Sequence, residues 1–305
     1  MLEPIFYGII IGGLYALVAI GYTLIYGVLK FINFAHGEIF MLGSYFFYYF
    51  AFRFGLNLWE SIALSMFLTA IAGVIIEQIA YRPLRTASRL APLISAIGVS
   101  IFIRNLVAFI FGSQVKSFVA VAPTAGFRFV SIRITSLEIY TIVVTMILML
   151  CLTLFLKRFK FGKAIRAIAV DQEAAKVVGI KTDRIISLTF AIASAMAAAA
   201  GCLFALKYNA YPAMGGLIGF KAFTASVLGG IGSVPGAMVG GLLLGLLENL
   251  GATFISHKFK DAFAFVILVL ILVFRPEGLY GTQHLKEVKK QLYEILWKLK
   301  QCWTF

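Results

Sequence analysis

Eight stretches of this sequence are apolar for about 20 residues, the length needed to cross the hydrocarbon layer of a bilayer. They lie at roughly 5–29, 32–52, 58–80, 91–111, 137–157, 186–207, 235–255 and 261–276. A ninth, at roughly 217–232, is shorter and rich in glycine. Lipid offers no hydrogen bonds, so a spanning chain must pair its backbone within itself, as helices or as a closed barrel. Continuous apolar runs of this length suit helices. The expected fold class is therefore all-α: a polytopic membrane protein of about 8–9 transmembrane helices, some of them short or broken. Composition agrees, since 61% of the 305 residues are hydrophobic and 13% are charged, whereas a soluble domain is nearer half apolar and a quarter charged.

Charge gives the expected orientation. Arg82, Arg85 and Arg89 separate the third and fourth stretches without an acid among them. The polar stretch from Arg158 to Arg184 carries Lys160, Lys163, Arg166, Lys176 and Lys181 against Asp171, Glu173 and Asp183. The end of the chain adds Lys286, Lys289, Lys290, Lys298 and Lys300. Loops of this kind stay in the cytoplasm. Parity places all three on one side if the glycine-rich segment also crosses, giving nine crossings with the N-terminus outside and the C-terminus inside. The net charge of +14 then reflects these loops. Nucleic-acid binding is not expected, because no soluble basic face with interleaved aromatics is present.

The remaining segments fit this frame. The N-terminus lacks a basic leader and a small-residue cleavage site, so it reads as a retained span. The external loop at 112–136 holds a weakly alternating run from Phe127 to Ile134, either a short hairpin or an extended piece. The chain divides into one transmembrane domain, 1–280, with a cytoplasmic loop at 158–186, and a basic tail, 281–305. Lys alternates there with Leu, Ile and Trp, which suits either an amphipathic helix on anionic lipid or a dispensable end. Cys151, Cys202 and Cys302 form neither a disulfide framework nor a metal-spaced cluster.

Three groups of residues stand out as functional candidates. In the cytoplasmic loop, Asp171 and Glu173 fall in the first turns of a short helix at about 171–180, where the helix dipole favours negative charge. Ala174, Ala175, Val177 and Val178 give that helix an apolar face, and Gly179 suits the position just past its end. Such an element is either a docking helix for another protein or an ordinary surface loop. Asn33, His36 and Glu38 open the second segment, where they either touch a passing substrate or cap a half-helix and pin two segments together. Arg104, Asn105, Lys221, Glu248 and Asn249 also lie within spans, and one or two Arg/Lys–Glu pairs are expected among them. Gly8 and Gly12, Gly236 and Gly240, and Gly241 and Gly245 are spaced four apart. That spacing lets helices approach closely, inside the subunit or between two subunits.

A family resemblance covers nearly the whole chain. Glu173-Ala174-Ala175, followed after three residues by Gly179, resembles the EAA loop of ABC importer permeases, although the later part of that pattern is replaced by Ile185-Ile186-Ser187-Leu188. Gly12-Gly13-Leu14-Tyr15-Ala16-Leu17, Gly21-Tyr22-Thr23-Leu24-Ile25-Tyr26-Gly27 and Ile32-Asn33-Phe34-Ala35-His36-Gly37-Glu38 resemble the N-terminal signature of branched-chain amino acid permeases. Tyr81-Arg82-Pro83-Leu84-Arg85, Leu93 to Gly98, Lys221 to Ala237 and Pro276-Glu277-Gly278 continue the similarity in order. The permease of the shorter kind in each pair is the nearest match.

The resemblance implies a non-catalytic pore subunit in the inner membrane that imports leucine, isoleucine or valine. Its implied partners are a paralogous permease, two ATP-binding cassette subunits, an extracytoplasmic substrate-binding protein and membrane lipids. Asp171, Glu173, Ala174, Ala175 and Gly179 would then belong to the coupling helix that contacts the ATPase. Related permeases carry urea, short amides or other neutral amino acids, so those substrates stay open. A stand-alone secondary transporter would carry more intramembrane acids for ion coupling. An embedded enzyme would need a metal or nucleophile constellation, which three scattered histidines do not supply. No cofactor or metal is expected, and no phosphate-binding G-x-x-x-x-G-K-[ST] occurs.

Overall fold

A computed structural model describes residues 2–85, 87–88, 90–123, 125–129 and 132–281. The tail helix expected at 284–303 lies outside these residues. The described chain forms eleven α-helices and one β-hairpin. In order these are α1 (Leu2–Leu29), α2 (His36–Arg53), α3 (Leu58–Ile76), α4 (Leu90–Phe111), β1 (Gly126–Phe129), β2 (Ile132–Thr135), α5 (Ser136–Arg158), α6 (Lys160–Val170), α7 (Gln172–Val177), α8 (Thr182–Tyr208), α9 (Met214–Gly229), α10 (Val234–Phe254) and α11 (Lys260–Phe274). Six are long and apolar enough to cross a membrane: α1, α3 with its continuation to Leu84, α4, α5, α8 and α10. The helices α2, α9 and α11 are shorter or less apolar, at 18, 16 and 15 residues, and they pack among the six.

Helix α1 is the axis of the bundle. Its sequence is apolar on every side, and 94% of its most apolar window is buried, as a helix surrounded by other helices requires. Small residues let its neighbours come close. A Cβ on Gly12 would stand 2.9 Å from the Gly241 carbonyl oxygen of α10, and one on Gly8 would stand 3.0 Å from Leu246 Cα. The contact is antiparallel, since the Gly8 level meets Leu246 and the Gly12 level meets Leu242. On another face of α10, Gly236 and Gly240 rest on Gly229 and Ala225 of α9. The four-spaced glycines therefore lie at interfaces within this chain. Helix α8 carries the fully buried run Ala197–Ala200, and Gly43 of α2 and Gly73 of α3 lie against it at Ala198 and Ser194.

Loop contacts sort the helix ends into two groups. At one end, Lys30 Nζ donates to the Ala169 carbonyl at 2.6 Å, Arg82 and Arg85 bind Asp183, and Leu279 N–H donates to the Leu228 carbonyl at 2.9 Å. At the other, Lys116 pairs with Ala210 across a β-bridge, Phe118 stacks on Phe47, and Trp59 meets Tyr140. The two ends alternate along α1, α2, α3, α4, α5, α8, α9, α10 and α11. Between Ala210 and Leu228 the chain thus passes from one end to the other through the 16-residue α9, which is much shorter than α1 or α8.

Local sequence explains the irregular places. Lys30, at φ 58°, ends α1, and residues 30–35 run back without helix, so α2 starts at His36 and not near residue 32. His36 lies against Gly21, eight residues or about 12 Å inside the end of α1. The second segment is thus a half-helix that begins deep in the bundle. Helix α3 ends in a π-turn, Glu77–Tyr81, and a short 3₁₀ turn at Arg82–Leu84 holding Pro83. The alternating run at 126–135 forms an antiparallel hairpin, with Phe127 opposite Ile134. The loop at 158–184 is more ordered than its charge suggests. It contains α6, whose Gly162, Ile165 and Ile168 face inward at helical spacing, and α8 begins at Thr182, not near residue 186.

Candidate translocation cleft and coupling surface

The half-helix α2 brings three polar residues into the bundle. Asn33 Oδ1 accepts hydrogen bonds from the Ala35 N–H at 3.1 Å and from the Tyr81 hydroxyl at 2.7 Å, so it closes the turn before α2 and ties that turn to α3. Ala35 is the N-cap, with no side-chain cap bond. Neither His36 nor Glu38 caps the helix, in contrast to one of the roles that sequence leaves open. His36 is fully buried with no hydrogen bond at either ring nitrogen, and its ring lies edge-on to Tyr22 at 4.9 Å. Glu38 is 1% exposed. Its Oε1 accepts from Ser100 of α4 at 3.3 Å, and its Oε2 has no partner.

On the far side of Ser100, Gly215 and Gly216 from this carboxylate lies a cleft of about 290 Å³ between α4 and α9, lined by those residues with Tyr22, Phe34, Ile97, Gly219 and Phe220. Glycine is required at 215, where a Cβ would strike the Glu38 carboxyl and the Gly37 carbonyl. The bare α9 face therefore lets α2 and α9 meet at the base of the cleft.

The other buried acids are neutralised. Lys221 of α9 lies 2.7 Å from Glu248 of α10 and 2.5 Å from Asp261 of α11, with its ammonium 5.9 Å from the centre of the Tyr15 ring. Lys207 meets Glu138 at 2.9 Å and sits over the Tyr7 ring. Glu77, in the π-turn of α3, pairs with Arg85 and accepts from the Ser187 hydroxyl at 2.6 Å. Sequence indicates Lys221 and Glu248 as partner candidates. Asp261, Glu138 and Glu77 escape notice because each lies near the end of an apolar run, where a charge looks solvated. Arg104 is exposed and makes no ion pair among the described residues, and Asn105 Nδ2 donates to its own helix at the Ile101 carbonyl.

At the basic end of the bundle, α7 stands out as a small helix with both ends closed. Asp171 Oδ1 accepts from the N–H groups of Glu173 and Ala174 at 2.9 and 3.0 Å, an N-cap that satisfies two orphan donors. Glu173 pairs with Lys176 at 2.8 Å. At the far end, Gly179 adopts φ 85°, its N–H donates to the Lys176 carbonyl, and the Ile180 N–H donates to the Ala175 carbonyl. This double closure needs a left-handed residue, which glycine supplies without strain. Ala175 is the buried anchor of α7, while Ala174 is exposed and Val177 and Val178 are 87% and 75% exposed. Two adjacent valines held out on a fixed helix form an apolar knob unlike an ordinary polar loop.

Arg82 Nη2 and Arg85 Nη1 bind the two oxygens of Asp183 at 2.8 and 2.7 Å. Arg85 also binds Glu77, and the π-turn that begins at Glu77 ends at Tyr81, whose hydroxyl holds Asn33. Continuous polar contacts therefore run from the start of α8, next to α7, to the turn before α2.

The family model described as branched-chain amino acid transport system / permease component matches residues 4–272. The chain belongs to this permease family. It is 43% identical over 301 residues to the high-affinity branched-chain amino acid transport system permease protein BraD of Pseudomonas aeruginosa, covering 94% of this chain and 98% of that protein. It is 42% identical over 303 residues to the corresponding LivH of Escherichia coli K12, covering 94% and 97%. A solved structure titled PsaBC from Streptococcus pneumoniae in complex with Fab matches with a TM-score of 0.50 at 14% identity, over 93% of this permease and 94% of that chain. At that identity the likeness concerns the fold. The all-helical, polytopic architecture expected from sequence is that of a permease.

Proposed function

We propose that this permease is one of two paired membrane subunits of an ATP-driven importer for leucine, isoleucine and valine, residing in the cell's inner membrane. The first 280 residues form one transmembrane domain. The bundle end that carries Arg82, Arg85, Lys157, Arg158, Lys160, Lys163, Arg166, Lys181 and Arg184 faces the cytoplasm. The N-terminus of α1 is then outside and the C-terminus inside. A paralogous permease completes the pore, two ATP-binding cassette subunits dock beneath it, and an extracytoplasmic binding protein delivers the amino acid. The permease itself performs no chemistry.

The observation that carries this reading is α7, a helix closed at both ends that presents Val177 and Val178 at the basic end of the bundle. Its rigidity suits a lever, because force applied to a frayed loop would be absorbed by the loop. In this mechanism, closure of the ATPase dimer moves α7 with α6 and the start of α8. The Asp183–Arg85–Glu77 contacts pass that movement to the π-turn of α3, and the Tyr81–Asn33 bond passes it to the half-helix α2. Tilting α2 against the glycine face of α9 alternates access to the path. The buried acids other than Glu38 are paired with cations, which favours this reading over an ion-coupled carrier that would need several free acids.

The test is Glu173→Arg combined with Gly179→Asp, which repels a complementary surface and strains the left-handed closure. Leucine uptake and ATPase co-purification are expected to fall together by about tenfold or more, the equivalent of losing roughly 1.4 kcal/mol or more of contact. Normal uptake with normal ATPase association refutes the coupling role of α7.

A further inference from the structure

Four acids are buried among the described residues: Glu38, Glu77, Glu138 and Glu248. Three of them have a cation within ion-pair distance, namely Arg85, Lys207 and Lys221. Among the described residues Glu38 has none, and its Oε2 lacks any hydrogen-bond partner. The groups around it make no ion pair with it. The His36 ring nitrogens are themselves unbonded, Ser100 offers one neutral hydroxyl, and Arg104, one turn further along α4, is exposed without an ion pair. A carboxylate inside a membrane protein is costly unless a cation joins it. Here the carboxylate lies directly behind the cleft wall made by Ser100, Gly215 and Gly216, and no bulky side chain stands in that wall: a Cβ on Gly216 would be 3.9 Å from Glu38 Oε1.

We propose that the Glu38 carboxylate is the seat for the α-ammonium group of the transported amino acid, reached from the cleft between α4 and α9 when α2 shifts against α9. This rests on the importer reading above. Phe34, Ile97 and Phe220 supply apolar walls for an aliphatic side chain. The cleft volume of about 290 Å³ lies at the lower limit of small-molecule sites, which suits a single free amino acid. The missing cation is therefore brought by the cargo. The seat is occupied only in passing, because Glu38 starts the half-helix α2 that the coupling path moves.

The experiment uses the complete importer in proteoliposomes, with both permeases, the ATPases and leucine-loaded binding protein. Glu38→Gln keeps the shape and removes the charge. Gly216→Leu fills the cleft from an exposed position on α9. Each variant is expected to lower leucine accumulation by about tenfold or more, the scale of losing a charge-assisted hydrogen bond. Assembly and ATP hydrolysis stimulated by loaded binding protein stay at wild-type levels. Wild-type accumulation in either variant overturns the proposal. So does a Glu38→Gln complex that falls apart or stops hydrolysing ATP, because Glu38 then pairs with a cation of the partner permease or holds the fold. If the wild-type complex itself accumulates no leucine, the importer reading falls and this inference falls with it.

Discussion

Helices α1 and α4 are almost equally apolar, yet 94% of the most apolar window of α1 is buried and only 17% of that of α4. Hydropathy does not separate them, because lipid is as good a solvent for leucine as the bundle interior is. What separates them is size. Helix α1 carries Gly8, Gly12, Gly13, Ala16, Ala19 and Gly21, and its backbone touches α10 directly. Helix α4 turns Ile94, Phe102, Phe109 and Ile110 outward, each more than 60% exposed. Close backbone approach yields dispersion contact that lipid chains cannot match, so the small-residue helix goes to the centre and the bulky one to the rim. Charge follows the same division: Lys221, next to α1, has two carboxylates, whereas Arg104 on α4 has none among the described residues.

The largest effect that would sharpen this contrast comes from Lys221→Met. It leaves Glu248 buried with only the more distant Lys260, 3.9 Å away, and should cost about 3–5 kcal/mol, as breaking a buried pair from one side does. Thermal unfolding in detergent measures it, and adding Glu248→Leu should restore most of the loss. Next comes Gly12→Leu, which forces α1 off α10 at Gly241 and Leu242. Its expected cost is about 1–3 kcal/mol or more, read as loss of monodisperse protein on size-exclusion chromatography. The smallest effect belongs to Phe109→Ala on α4, where the side chain is 88% exposed. The melting temperature should barely move, with a stability change within about 0.5 kcal/mol. A large loss there would show that α4 is covered by a partner subunit, so the comparison would be between two kinds of interface and not between centre and rim.

Sequence reveals the division only partly. Most span positions and the four-spaced glycines are visible because each rests on local spacing, whereas the alternating run at 126–135 leaves a hairpin and an extended piece equally open. The start of α2 at His36 is not, since the reversal through residues 30–35 depends on Lys30 reaching Ala169 and on Tyr81 reaching Asn33, contacts between distant parts of the chain. Helix α6 is hidden because Lys160, Lys163 and Arg166 make the whole loop look polar, although Gly162, Ile165 and Ile168 share one face. For the candidate site, Asn33, His36 and Glu38 announce themselves by being polar where apolar residues are expected. Ser100 and the glycines of α9 do not, because a hydroxyl or a glycine in a span is ordinary until the fold sets it beside a carboxylate. The closed ends of α7 are legible in Asp171 and Gly179. Its exposed valines are not, because two valines beside two alanines read equally well as a face turned inward.

The central claim is that α7 meets a nucleotide-hydrolysing neighbour at the cytoplasmic face. The most direct test places the photoreactive residue benzoylphenylalanine at Val177 and irradiates the assembled transporter in membrane vesicles. The account predicts a covalent adduct with the ATP-binding subunit, formed at the inner face. An adduct confined to extracytoplasmic protein, or to no protein that hydrolyses nucleotide, would contradict it.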